Sequence, residues 1–279
     1  MNYKIIVDSC CELPEALKSD PRFEIVPLTL IVGDIYEKED DANFNQREFL
    51  DAVASCPTCP KSACPSPERY LQAFETEAEH VYAVTLSSRL SGSYNSAELG
   101  KKLYHDKHGD KDIYIVDSQS ASCGETQLAM KLVEWEEAGL PFAEITRKIE
   151  DYVKHMNTYF VLENLDTLRK NGRLTGVKAL VASTLNIKPV MGADDGNIIQ
   201  LGQCIGMKKA LAKMAEFVLK DAVHPEEKAL MITHCNNPKG AECVRAQLEA
   251  KADFKKVLVM DTAGISSMYA NDGGVIVTL

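Results

Sequence analysis

Along roughly the first 157 residues, short apolar runs alternate with segments of helical spacing, and this alternation constrains the fold more than any other feature. Lys4–Val7, Val81–Leu86 and Ile113–Val116 read as buried strands. Pro14–Ser19, Asn45–Ala54, Pro67–Ala78, Ser93–Leu103 and Glu125–Ala138 read as helices, and Phe23–Val32 as extended chain. Strands that are apolar on both sides need cover on both faces, so they predict a parallel sheet flanked by helices. After a helix over Pro141–Met156 and a strand over Thr158–Val161 the texture changes. A helix is expected over Val177–Leu185, then a hairpin turning at Asp194-Asp195-Gly196-Asn197. Helices over Met207–Ala222 and Gly240–Ala250, strands over Lys228–Thr233 and Val257–Met260, and a glycine turn into a last strand complete the pattern. The expected fold is therefore α/β in two domains. Residues 1–157 form a parallel-sheet domain, and residues 158–279 form an α/β domain with a mixed sheet.

Composition excludes several functions. The formal net charge of −10 argues against nucleic acid as a partner, because neutralising phosphates supplies most of that affinity. No stretch approaches the ~18 apolar residues of a membrane span, so an integral membrane protein is not expected. The first residues, Met1 to Asp8, read as a strand and lack the apolar region of a signal peptide. Nine scattered cysteines then read as reduced thiols in the cytoplasm.

Two hydroxyl-rich turns carry the functional signal. Ser62-Ala63-Cys64-Pro65-Ser66-Pro67 is stiffened by its prolines, and Ser66 suits the N-cap of the helix that Pro67 opens. Ser62 lies outside that cap. Ser87, Ser88, Ser91 and Ser93 crowd a second turn around Gly92, where one hydroxyl would suffice for capping. Small hydroxyls beside helix N-terminal N–H groups can hold an anion. Neither turn carries a neighbouring base to activate a serine, so the reading is binding of a carboxylate. Asp8-Ser9 and Asp117-Ser118 end apolar strands, where open α/β sheets gather ligands, although such residues also make simple caps.

Weaker signals remain. Cys56-Pro57-Thr58-Cys59, with Cys64 nearby, lacks a fourth zinc ligand in sequence and follows a helix where a redox motif should open one. No metal is expected. His234, after a strand, is the only histidine placed to reach a pocket. Arg169, Lys170, Arg173 and Lys178 make a local basic face around Asn171-Gly172-Arg173.

Taken in order, these motifs resemble the DegV family of bacterial fatty-acid-binding proteins. The resemblance begins at Asp8-Ser9 and Leu13. Ser62–Pro67 is similar to the family's Thr-Ser-Gln-Pro-Ser-Pro, and Ser87–Tyr94 to its Ser-Ser-Gly-Leu-Ser-Gly-Thr-Tyr. It continues through Val116-Asp117-Ser118, Leu165–Leu174 and Asn186-Ile187-Lys188-Pro189. The resemblance implies a two-domain DegV-like fold holding one long-chain fatty acid, such as palmitate, between the domains. It implies a carboxylate held by the hydroxyls of Ser62 and Ser91, with Ser88, Gly92, Ser93 and Asn271 beside them. It also implies a lipid carrier for a separate fatty-acid kinase, without catalysis or cofactor of its own. Arg169 and Arg173 are the docking residues expected for that kinase.

The chain departs from the family at three places. Cys64 stands in the first turn, Arg89 replaces a usual glycine, and Asn271 stands where many members have histidine. An amide can hydrogen-bond a carboxylate but cannot titrate. Two readings compete with the carrier. One is a hydrolase or transferase using Ser91 or Cys64 as nucleophile. The other is a thiol-redox or zinc protein built on Cys56, Cys59 and Cys64.

Overall fold

The computed structural model describes residues 2–174 and 186–279. The helix expected over Val177–Leu185, and Lys178 with it, lies outside the described residues. Strands β1 (Tyr3–Asp8), β2 (Phe23–Val26), β6 (His80–Thr85) and β7 (Asp112–Asp117) form a four-stranded sheet in the order β2-β1-β6-β7. All its pairings are parallel. Strands β3 (Thr29–Val32), β4 (Tyr36–Glu39) and β5 (Lys61–Ala63) form a small antiparallel sheet. Strands β8 (Thr158–Val161), β9 (Ile187–Asp194), β10 (Asn197–Ile205), β11 (Ala229–His234), β12 (Lys256–Asp261) and β13 (Val275–Thr278) form a mixed sheet ordered β10-β9-β8-β13-β11-β12. Only β11 and β12 run parallel in it. The helices are α1 (Glu15–Lys18), α2 (Gln46–Ser55), α3 (Pro67–Phe74), α4 (Ser93–His108), α5 (Cys123–Glu137), α6 (Phe142–His155), α7 (Asp166–Lys170), α8 (Met207–Asp221), α9 (Pro238–Glu249) and α10 (Gly264–Ala270).

Strand periodicity explains the two-sided core of the parallel sheet. Ile5 and Val7 point to one face, with Tyr82 and Val84, against Leu128, Leu132, Ile145 and Ile149 of α5 and α6. Ile6 points to the other, with Val81 and Ala83, against Tyr70, Phe74 and Ala97 of α3 and α4. Each fully buried side chain of this size contributes about 1.5–3 kcal/mol. Gly100 lets α3 and α4 touch, since a Cβ there would lie 2.7 Å from the Pro67 carbonyl oxygen. Helix α5 is shared by the two large sheets: its outer side meets the mixed sheet, where Thr278 donates to Gln127 Oε1 at 2.9 Å.

The structure departs from the sequence reading at Phe23–Val32. That stretch is two strands in different sheets, broken at Pro27-Leu28. The partners of the second are short or charged, Tyr36-Glu37-Lys38-Glu39 and Lys61-Ser62-Ala63, so neither shows strand periodicity. The predicted hairpin turn is present, with Asp195 and Gly196 at φ 46° and 73°, the left-handed pair such turns require. No described helix is long and apolar enough to cross a membrane.

Candidate functional site

The carboxyl ends of β1, β6 and β7 face one side of the mixed sheet across a cavity. Cys10, Leu86, Leu90, Gln119, Ser120 and Ala121 line it from the first sheet's loops. Thr158, Phe160 and Leu162 line it from alternate positions along and just after β8, with Ile276 on neighbouring β13 and Ile198 on β10. The residues between them, Tyr159 and Val161, turn away into the core under α8. Ile265, Ser266, Tyr269 and Ala270 of α10 add a further wall. The lining is mostly hydrocarbon.

Ser62 and Ser91 both line this cavity. Ser62 is placed by β5, where it pairs with Leu30. Among the described residues its hydroxyl has no hydrogen-bond partner. Ser91 sits in the turn before α4, and its Oγ accepts from the Ser93 N–H at 3.2 Å, leaving its proton free among the described residues. The two turns abut: a Cβ at Gly92 would lie 3.0 Å from Cys64 Sγ, and Cys64 Sγ is 3.8 Å from Ser96 Oγ. Gly92 itself is exposed as the N-cap residue of α4, and Ser66 caps α3.

Arg173 takes a place that the sequence reading did not anticipate. Expected on a docking surface, it is half-buried and lines the cavity. Its Nε donates to the Leu90 carbonyl at 3.0 Å and its Nη1 to the Asn171 carbonyl at 2.5 Å. Asn171 Nδ2 donates to the Pro60 carbonyl at 2.9 Å, so this turn ties the two serine turns together. A cation therefore lines the same cavity as both hydroxyls. Arg169 is exposed and pairs with Asp166 at 3.1 Å.

Four expected site residues, Gly92, Ser93, Ser88 and Asn271, do not line the cavity. Ser93 is fully buried, and its hydroxyl donates to Asp8 Oδ2 at 2.5 Å and meets Tyr70 Oη at 2.6 Å. Ser88 is committed to Asp117, with 2.9 Å to its N–H and 2.5 Å to its hydroxyl. Asn271 bonds to Thr167 and to the carbonyls of Asn164 and Tyr269. His234 also lies away from the cavity, 3.3 Å from Asp261, and burial lowers its pKa. The surplus of hydroxyls over capping needs thus has a structural cause: strand-end aspartates recruit Ser88 and Ser93.

Behind the cavity lies a group of buried carboxyls that sequence analysis passed over. Asp8 also accepts from the N–H groups of Cys10 (3.0 Å) and Leu86 (2.9 Å). Asp40 accepts from Gly264 and Ile265 at the start of α10, at 2.9 and 2.8 Å, and Glu12 accepts from Ala263 at 3.2 Å. Burial raises all of these pKa values, that of Asp40 to about 6 and that of Glu12 to about 7. Burial, and then the Asp8 charge, push Glu125 well above the carboxylate range. Burial and the Asp8 charge thus both favour the neutral form of Glu125.

Cys56 and Cys59 are half-buried, and Cys59 Sγ contacts the Pro60 carbonyl at 3.6 Å. Among the described residues, no group of three or more His, Cys, Asp or Glu side chains is placed to hold a metal ion. Replacing Cys56 and Cys59 together by serine is expected to leave acyl-probe affinity within about twofold, since neither lines the cavity. Loss of bound zinc together with unfolding in that variant would restore the metal reading.

Comparison with known proteins agrees with this architecture. Residues 2–277 match the family model described as "Uncharacterised protein, DegV family". A DegV domain-containing protein of Streptococcus gordonii is 36% identical over 280 residues, covering 99% of this chain and 98% of that protein. A DegV-family crystal structure from Ruminococcus gnavus, refined with vaccenic acid, is 49% identical with a TM-score of 0.97, covering 100% of this chain and 99% of that one. The Streptococcus pneumoniae Fatty Acid Kinase (Fak) B3 protein, loaded with linoleic acid, is 32% identical with a TM-score of 0.88, covering 100% and 99%. The chain belongs to the DegV family.

Proposed function

We propose that this protein binds one long-chain fatty acid, such as palmitate, between domains assigned to residues 1–157 and 158–279. It serves as a cytoplasmic, non-catalytic lipid carrier for a separate fatty-acid kinase. The observation that carries this reading is the apolar cavity whose polar wall combines two under-used hydroxyls with a guanidinium. In this reading Ser62, Ser91 and Arg173 take the carboxylate, and Leu90, Phe160, Leu162, Ile198 and Ile276 take the acyl chain. The kinship with proteins crystallised around vaccenic and linoleic acids supports the ligand class, and the pneumococcal kinase-named protein supports the partner. Exposed Arg169 and Lys170 on α7 are the docking face for that partner.

The energetics fit. Burying ~14 methylenes at roughly 0.8 kcal/mol each yields about 11 kcal/mol gross. Association costs an estimated ~4–15 kcal/mol, so a preformed cavity is needed for tight binding. The head group must be hydrogen-bonded or it would cost several kcal/mol more. A hydrolase or transferase reading is disfavoured, since no His, Asp or Glu side chain hydrogen-bonds Ser62 or Ser91 among the described residues. Native mass spectrometry should find a co-purified acid of ~250–285 Da, the mass range of common long-chain acids, whose burial at about 0.8 kcal/mol per methylene drives binding.

Ser91→Ala is expected to weaken acyl-probe binding by about 1.5–3 kcal/mol, the value of a hydrogen bond to a charged group. Ser62→Ala should act in the same direction. In a double-mutant cycle the two should be non-additive, because they share one carboxylate. Strict additivity would assign them to different sites.

A further inference from the structure

The acyl cavity is not apolar throughout. Ser120 and Thr158 both line it, at 3% and 7% exposure. Their hydroxyl oxygens are 2.7 Å apart, Ser120 from the loop after β7 and Thr158 from the start of β8. The position of the serine is built in: a Cβ at Gly124 would lie 2.1 Å from Ser120 Oγ, so only glycine in the first turn of α5 leaves room for it.

The pair has hydrogen-bonding capacity to spare. Two hydroxyls carry two donors and four acceptor positions. Their mutual bond uses one of each, and the only other hydrogen bond of either hydroxyl among the described residues is a 3.5 Å approach of Ser120 Oγ to the Ala121 carbonyl. If Thr158 donates to Ser120, both lone pairs of Thr158 remain. If Ser120 donates to Thr158, the Thr158 proton has no acceptor among the described residues. The pair can thus accept from a hydroxyl or donate to a carbonyl.

Ser120 adjoins the second serine turn, its carbonyl accepting from the Ser87 N–H at 3.0 Å, and Thr158 carries the pair onto the β8 wall. Thr158, Phe160 and Leu162 line the wall at alternate positions, so Thr158 is ~13 Å along the chain direction of β8 from Leu162, at about 3.3 Å per residue. Leu162 packs in one cluster with Leu168 and Leu174, which bracket Arg173. An acyl chain with its carboxylate at Arg173 would run its middle or far half past the pair.

We propose that Ser120 and Thr158 form a second polar subsite, one that accepts an oxygen function on the acyl chain, so that the ligands include hydroxy- and oxo-fatty acids. This rests on the fatty-acid reading of the cavity. A hydroxyl pushed into a hydrocarbon wall without a partner loses on the order of tenfold to a hundredfold in affinity. Beside this pair that loss is recovered.

The experiment compares stearic acid with hydroxystearic acids carrying the hydroxyl at successive mid-chain positions, and palmitic acid with ω-hydroxypalmitic acid. Each is measured by displacement of a fluorescent acyl probe from wild type, Thr158→Val and Ser120→Ala. For at least one position, wild type should bind the hydroxylated acid within about threefold of its parent. Thr158→Val should raise that ratio about tenfold, each ratio being taken within one variant so that any change in affinity for the parent acid cancels. Ser120→Ala provides a second variant should Thr158→Val unfold. If every hydroxylated acid is penalised more than tenfold in wild type, or if both variants leave the ratio unchanged, the pair is only a tie between the two sheets. Failure of stearic and palmitic acids themselves to bind would instead overturn the fatty-acid reading.

Discussion

Arg173→Glu is expected to lower affinity for a long-chain fatty acid by about a hundredfold or more, which is ~2.7 kcal/mol. The substitution removes a charge-assisted hydrogen bond worth about 1.5–3 kcal/mol. It also sets a carboxylate beside the carboxylate of the ligand, and like charges in a partly buried site cost several kcal/mol. The native guanidinium is held by the carbonyls of Leu90 and Asn171, so its charge is fixed near Ser91 rather than free to swing into solvent. Displacement of a fluorescent acyl probe gives the affinities. Methyl palmitate is the control: its neutral head should lose much less, which separates a charge effect from collapse of the turn. Wild-type affinity for palmitate in Arg173→Glu would remove the residue from the site.

Much of this architecture is legible in the sequence because both signals are periodic. Apolar runs such as Lys4–Val7 and Val81–Leu86 can only be two-sided strands, and the Asp-Gly turn at 195–196 fixes the hairpin. The small antiparallel sheet is not legible. Its strands β4 and β5 are too short or too charged to show a period, and they form because β3 offers them an edge. That sheet matters, because β5 is what presents Ser62.

The site is legible in part, and for a different reason. Serines at 62 and 91 stand out as surplus to capping, and both line the cavity. By the same count Ser88 and Ser93 looked like ligand contacts. The count fails there because it considers only helix ends, whereas strand-end aspartates also demand donors. Asp8-Ser9 and Asp117-Ser118 were already flagged as strand ends, so the signal that separates the two classes was present. Arg173 reads as surface because it stands in a basic run, whereas the structure places it in the cavity wall. Which member of that run turns inward depends on the turn at Asn171-Gly172, where Gly172 has φ 76°.

Asp8→Ala should cost about 3–5 kcal/mol of stability, a large share of the ~5–15 kcal/mol that holds a domain folded. Asp8 is fully buried at the end of β1. It accepts from the N–H groups of Cys10 and Leu86 and from the Ser93 hydroxyl, joining three loops at the carboxyl edge of the sheet. Alanine leaves two buried N–H groups without an acceptor, at about 1–3 kcal/mol each. Some of that loss is returned, because burying the Asp8 charge is itself unfavourable and raises its own pKa. Asp8→Asn keeps the shape and one acceptor oxygen but turns an NH₂ group toward donors, so it should cost less than alanine and more than nothing. Glu125→Gln supplies the contrast. Its carboxyl oxygens have no hydrogen-bond partner among the described residues, and its surroundings favour the neutral form, so the amide should leave stability within about 1 kcal/mol. Urea unfolding at pH 7 ranks the three. Equal stability of Asp8→Ala and wild type would mean that the loops bearing Cys10, Leu86 and Ser93 hold their places without the aspartate.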